Sequence, residues 1–169
     1  MKQQKLTWRD VEQQVQELLR QMHQQQWKPD YVVGLTRGGL TPAVMISQYL
    51  DVPMHTLKVS LRHGTEDCES NLWMAEEAFD YGDQDPARIL IVDDINDSGA
   101  TMKWIRQDWP SGCLPNDERW NTIWNDTVRF AVLVNNSASQ YQQVDYTAME
   151  INKNDEPQWI VFPWEEWWR

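Results

Sequence analysis

The sequence has little cysteine, no long apolar run and no excess of basic charge, and each shortage removes a class of protein. Two cysteines in 169 residues, Cys68 and Cys113, make neither a ligand pair nor a disulfide framework. The longest aliphatic runs, such as ILIV and AVLV, fall far short of the ~20 apolar residues of a membrane span. The stretch MKQQKLTWRD holds no apolar segment of the secretory kind, so a cytoplasmic location is expected. A formal net charge of −11 argues against the broad positive surface that nucleic acids and anionic membranes require, so neither is an expected partner. Internal repeats are absent, and the one biased stretch, a glutamine-rich first helix, reads as a solvated helix face. What remains is 41% hydrophobic residues and a length suited to one domain with a sizeable core. Eleven tryptophans are many for that length, and most are expected in the core or an interface.

Periodicity divides the chain into alternating helices and strands. Thr7 reads as an N-cap with Asp10 three residues on, and Val11, Val15, Leu18, Leu19 and Met22 follow at the spacing of one helix face. KPDYVVGL reads as a buried strand, TRGG as a loop, and LTPAVMISQYL as a helix capped by Thr41 with Pro42 in first position. VPMHTLKVS is the next expected strand. A polar excursion over about 61–82 has room for some hairpin or helix. RILIV is the strongest strand, aliphatic enough to be covered on both faces, and a helix from about Ala100 to Trp109 follows it. Residues 109–127 carry prolines and turn formers and read as an insertion before VRFAVLV, with VDYTAMEI and QWIVF as the last strands. The pattern predicts an α/β fold with a mainly parallel sheet flanked by helices, in a single domain over 1–169.

The chemistry concentrates in ARILIVDDINDSGATMKW, Ala87 to Trp104. In a parallel sheet, ligands bind beyond the carboxyl ends of the strands. There Asp93 and Asp94 can accept hydrogen bonds from a sugar diol or hold Mg²⁺, and Ser98, Gly99, Ala100 and Thr101 offer amides and hydroxyls at a helix N-terminus, a cradle for a phosphate monoester. DSG alone fits an acidic turn in which Asp97 or Ser98 merely caps the next helix. The whole run of aliphatics, paired aspartates, Asp97 and Ser-Gly-Ala-Thr is far more specific.

That run resembles the 5-phosphoribosyl 1-diphosphate (PRPP) binding motif of the type I phosphoribosyltransferases, with Ser98 in place of a threonine. VVGLTRGGLTPAVMISQYL resembles the pyrophosphate loop of the xanthine-guanine and related purine members, with Thr36 where serine is usual. QWIVFPWE, Gln158 to Glu165, resembles their purine-side segment. The resemblance implies the type I phosphoribosyltransferase fold, with the 61–82 excursion as a flexible hood and a base-side segment over about 135–165. It also implies Mg²⁺ dependence and assembly as a homodimer or homotetramer. Asp93 and Asp94 would bind the ribose hydroxyls, with Asp94 the metal ligand. Ser98, Gly99, Ala100 and Thr101 would hold the 5-phosphate. Arg37 and Gly38 would grip pyrophosphate, with Arg62 in the hood as a further contact. Asp97 would face N7 of the purine, and Asp97 and Arg37 would be the catalytic residues. Trp159 would stack on the base, unless it is simply a core aromatic, and Ile160 would bond the base through its backbone. Trp164, Trp167 and Trp168 are expected to pack on the body or on a neighbouring subunit.

One departure concerns the base. Related purine enzymes usually carry a lysine after the strand equivalent to FAVLV, to recognise a 6-oxo group; Asn135 and Asn136 stand there, and Asn136 is the candidate base contact. An amide both donates and accepts, so base preference stays open. Three readings follow: a transferase making nucleoside monophosphates from guanine, xanthine or hypoxanthine; a transferase for another base; and a non-catalytic PRPP or nucleotide sensor.

Overall fold

The computed structural model describes residues 1–61, 66–80 and 85–169. The hood residues Arg62, His63, Gly64 and Thr65, and residues 81–84, lie outside the described residues. A short strand, β1 (Lys2–Lys5), leads to α1 (Trp8–Gln24), whose start is the capping box read from the sequence. The Asp10 N–H donates to the Thr7 hydroxyl at 3.1 Å, and the Thr7 N–H donates to the Asp10 carboxylate at 2.7 Å. Val11, Val15, Leu18 and Met22 form its buried face.

The main sheet is built from β2 (Tyr31–Thr36), β3 (Met54–Ser60), β4 (Asp67–Cys68), β5 (Ile89–Asn96), β6 (Val128–Asn136) and β7 (Tyr146–Ile151), in the order β4-β3-β2-β5-β6-β7. All its pairings are parallel except β3 with β4. That antiparallel pair and α3 (Leu72–Glu77) are the hairpin and helix expected within the polar excursion. The last strand, β8 (Gln158–Val161), pairs in parallel with β1 in a separate two-stranded sheet. β1 carries no alternating pattern of its own and reads from sequence as a polar lead-in; β8 makes it a strand.

Strand alternation sorts the core into two layers. Ile89 and Ile91 of β5 pack with α3, α4 (Ala100–Gly112) and α5 (Trp120–Ile123), whereas Leu90 and Val92 face α1 and α2 (Leu40–Leu50). Each such fully buried aliphatic contributes about 1.5–3 kcal/mol relative to exposure, which explains why the unbroken run sits at the centre. The α2 start corrects the sequence reading: Gly39, not Thr41, is the cap. The Ala43 N–H already donates to the Gly39 carbonyl at 3.1 Å, so the helix begins directly off the TRGG loop.

The 109–127 insertion, which the sequence left without a role, is an aromatic cover for one layer. Trp120 stacks on Trp124 at 5.9 Å, Trp124 lies nearly parallel to Phe130 at 6.0 Å, and Trp109 and Phe79 close the cluster. This accounts for much of the tryptophan content. Of the C-terminal tryptophans, Trp164 stacks on Phe162 at 4.9 Å and meets Trp8, while Trp167 and Trp168 are exposed. No helix among the described residues is long and apolar enough to cross a membrane.

Candidate functional site

The carboxyl ends of β2, β5 and β6 converge on one edge of the sheet, and the expected site residues gather there. β5 runs further than its aliphatic core: pairing with β6 continues through Asp93↔Val132 and Asn96↔Asn135. Asp93 and Asp94 are therefore strand residues with a fixed backbone, not loop residues. Two further amide bonds hold them, Asp94 N–H to the Asp93 carboxylate at 2.9 Å and Ile95 N–H to the Asp94 carboxylate at 2.8 Å.

The TRGG loop lies directly against Asp94. A Cβ on Gly38 would come within 1.9 Å of Asp94 Oδ2, so a bare backbone at position 38 is what lets the two candidate ligand-binding segments touch. The preceding Thr36–Arg37 peptide is cis. Arg37 is exposed and makes no ion pair among the described residues. Burial, reinforced by the Glu165 carboxylate, holds the Asp94 carboxyl above the usual aspartate range. Glu165 belongs to the QWIVFPWE segment and is itself fixed by the Phe162 N–H at 2.8 Å. Its approach to Asp94 was not foreseen, because nothing in the sequence links the two segments.

After β5 the chain turns into α4 through Asp97, Ser98 and Gly99. Gly99 caps α4 with φ +87°, and a Cβ there would meet the Tyr141 nitrogen at 2.6 Å, so both conformation and space demand glycine. The Ala100 N–H donates to Ser98 Oγ at 3.3 Å, and the Gln140 N–H to the Ser98 carbonyl at 3.1 Å. Ser98 and the cap Gly99 thus lead into Ala100 and Thr101, the first residues of a thirteen-residue helix, and a helix N-terminus favours an anion.

The two asparagines at the end of β6 have separate tasks. Asn135 continues a ladder across three strands: it accepts from Asn96 Nδ2 at 2.8 Å and donates to Glu150 at 3.0 Å. Asn136 is buried. Its oxygen accepts the Ala138 and Lys153 N–H groups, both at 3.1 Å, and its nitrogen donates to the Asp97 carbonyl at 3.1 Å and to Oδ1 at 3.3 Å. Sequence reasoning missed Lys153, whose ammonium donates to Asp97 Oδ2 at 2.7 Å and lies 5.6 Å from the Trp159 ring centroid. Its one sequence signal is a cation next to the purine-side segment.

Trp159 is 47% exposed and not a core residue. Ile160 is buried by its side chain, but its backbone is turned outward. The Leu6 N–H donates to the Val161 carbonyl at 2.9 Å, and because consecutive strand residues alternate, Ile160 presents its N–H and C=O to the edge of β8 opposite β1. A groove of about 630 Å³ between the C-terminal ends of α1 and α2, lined by Trp27, Tyr49 and Leu50, contains none of these residues.

A five-stranded parallel array extended by one antiparallel strand, with an acidic strand end, a glycine-capped helix start and a glycine-rich loop beside it, is the architecture of a phosphoribosyl transferase domain. The family model for the phosphoribosyl transferase domain matches residues 3–168, and the chain belongs to that family. It is 31% identical over 135 residues to the xanthine-guanine phosphoribosyltransferase of Cereibacter sphaeroides, covering 79% of this chain and 68% of that one. Identity to the xanthine-guanine phosphoribosyltransferase of Idiomarina loihiensis is 26% over 162 residues, with 95% and 85% covered. The purine phosphoribosyltransferase of Pyrococcus horikoshii superposes with a TM-score of 0.68 at 27% identity, covering 98% of this chain and 95% of its own.

Proposed function

We propose that the protein transfers the 5-phosphoribosyl group of PRPP to a purine base, guanine, xanthine or hypoxanthine, giving the nucleoside 5-monophosphate and pyrophosphate. The observation that carries this reading is the close approach of Gly38, next to Arg37, to Asp94 beside the Gly99-capped start of α4, which supports one site of cation, carboxylates and amides at a single strand end. The similarity to xanthine-guanine enzymes supports the choice of purine.

Ser98, Gly99, Ala100 and Thr101 bind the 5-phosphate through amides and hydroxyls, and Asp93 and Asp94 accept from the ribose hydroxyls. Departure of pyrophosphate leaves positive charge on the sugar, so Arg37 and the Gly38 amide stabilise the leaving group while Asp97 orients the base and handles a proton at N7. Trp159 stacks on the base and Ile160 bonds it through its backbone. Mg²⁺ would suit Asp94, whose carboxylate offers hard oxygens and whose ionised form, disfavoured by burial and by Glu165, a cation would stabilise. When bound, the metal neutralises pyrophosphate charge.

The test is to incubate the protein with PRPP, Mg²⁺ and each nucleobase separately and to follow nucleotide and pyrophosphate by chromatography. Nucleotide from a 6-oxopurine is the expected result. PRPP binding without product from any base would leave a sensor.

A further inference from the structure

We propose that Lys153, carried by the turn between β7 and β8, reads the purine 6-substituent and selects an oxo group over an amino group. This rests on the transferase reading above, and specifically on Asp97 facing N7. Four constraints hold the lysine where it is. Its own N–H donates to Asn136 Oδ1, the same asparagine donates to Asp97, its ammonium bonds Asp97 Oδ2 at 2.7 Å, and that ammonium sits 5.6 Å from the Trp159 centroid. The side chain is only 20% exposed, so it is ordered against the site instead of waving in solvent. Asn136, which stands where a base-recognising residue was expected, spends both ends of its amide on protein groups, and its influence on the base passes through Asp97 and Lys153.

The chemistry of the purine does the rest. N7 and the 6-substituent share one edge of the ring system. A base stacked on the accessible part of the Trp159 ring with N7 toward Asp97 turns its 6-substituent toward the groups bonded to that carboxylate, Asn136 at Oδ1 and Lys153 at Oδ2; the asparagine amide is already spent on protein groups, and the lysine ammonium keeps donors to spare. An ammonium has three donors and no acceptor, so it bonds an oxo group and leaves an exocyclic amine opposed donor to donor. The turn that follows β7 supplies a cation that the end of β6 does not.

The experiment compares wild type, Lys153→Ala and Lys153→Gln, with inosine monophosphate and adenosine monophosphate as calorimetric ligands and hypoxanthine and adenine as substrates. Lys153→Ala is expected to weaken inosine monophosphate about 30-fold, the loss of one hydrogen bond to a charged donor. Adenosine monophosphate should change little, so the discrimination collapses. Lys153→Gln, able to donate or accept, should narrow the preference while restoring part of the inosine monophosphate affinity. The KM for PRPP and the melting temperature should hold, since the backbone bond to Asn136 is retained. A preference for the oxo ligand that survives Lys153→Ala, or an equal loss for both nucleotides, overturns the proposal. If wild type makes no nucleotide yet loses its oxo preference on Lys153→Ala, the transferase reading alone falls. If wild type binds neither nucleotide, both fall.

Discussion

The two halves of the site are built in opposite ways. The proposed sugar-phosphate half is nearly continuous in sequence: Asp93 to Thr101 includes the end of β5, a turn and the start of α4, and one loop from β2 completes it. The proposed base half is assembled from distant pieces, with Asp97 after β5, Asn136 ending β6 and Lys153 after β7 joined by side-chain hydrogen bonds across as many as 56 positions, and Trp159 in β8 under the lysine ammonium. A contiguous half has its geometry set by local backbone, and glycine is its control point. An assembled half depends on whether separate elements keep their register, and its control points are long polar side chains.

Substitutions that strike one half and spare the other test this division. Asp97→Asn should lower kcat about 10²–10⁴-fold while PRPP affinity moves no more than about threefold, as expected for a group acting on the base proton. Unchanged turnover would remove Asp97 from the chemistry. Gly99→Ala should have the converse signature. Its positive φ and the crowding by Tyr141 and Ser139 distort the anion cradle, weakening PRPP about 10–100-fold with base discrimination intact. Equal damage to both substrates would mean that the halves are not separable. Trp159→Ala should raise the KM for the base about tenfold, the scale of one lost stacking contact. Because the ring is half exposed, its melting temperature should stay near wild type, and a large drop would make Trp159 structural.

The smallest effect concerns stability, at the seam between the halves. Burial and Glu165 raise the Asp94 pKa, so the folded state favours the protonated acid. This contribution is fully present below the unfolded pKa of the carboxyl and is lost as pH rises through the higher folded pKa. Asp94→Asn should therefore raise the melting temperature by about 2–4 °C at pH 7 without Mg²⁺, for each ~1 kcal/mol of relieved charge burial. The gain should vanish as pH falls below the ordinary aspartate range. Thermal scans across that range decide it, and a variant less stable at neutral pH would refute the account.

The same division explains what was legible from sequence. Alternation of apolar runs with capped helices is enough to specify a parallel sheet, and the proposed sugar-phosphate residues could be picked out together because they are neighbours along the chain. Asn136 could be singled out by its place at a strand end, but not the fact that its amide is spent on Ala138, Lys153 and Asp97. Lys153 lies outside every quoted motif and Glu165 only closes one, with no role attached to it; they matter because the folded chain brings the turn after β7 to Asp97 and the segment after β8 to Asp94. The cap of α2 was misplaced because Thr41-Pro42 is a good local start, overruled by a helical turn that the Gly39 carbonyl begins two residues earlier.

The pairing of β1 with β8 has a consequence for the order in which the protein matures. Lys2 to Lys5 find their partners only at Gln158 to Val161, nearly the whole length of the chain away, with Lys2–Glu156 at 2.6 Å as an added clasp. During synthesis the β2 to β6 core can collapse on its own nearby contacts, while this closure is the most sequence-distant in the fold and waits for β8. The strand that carries Trp159 and Ile160 is thus fastened last, and a nascent chain arrested before residue 158 would hold β5 and the start of α4 without the aromatic strand that completes the proposed site.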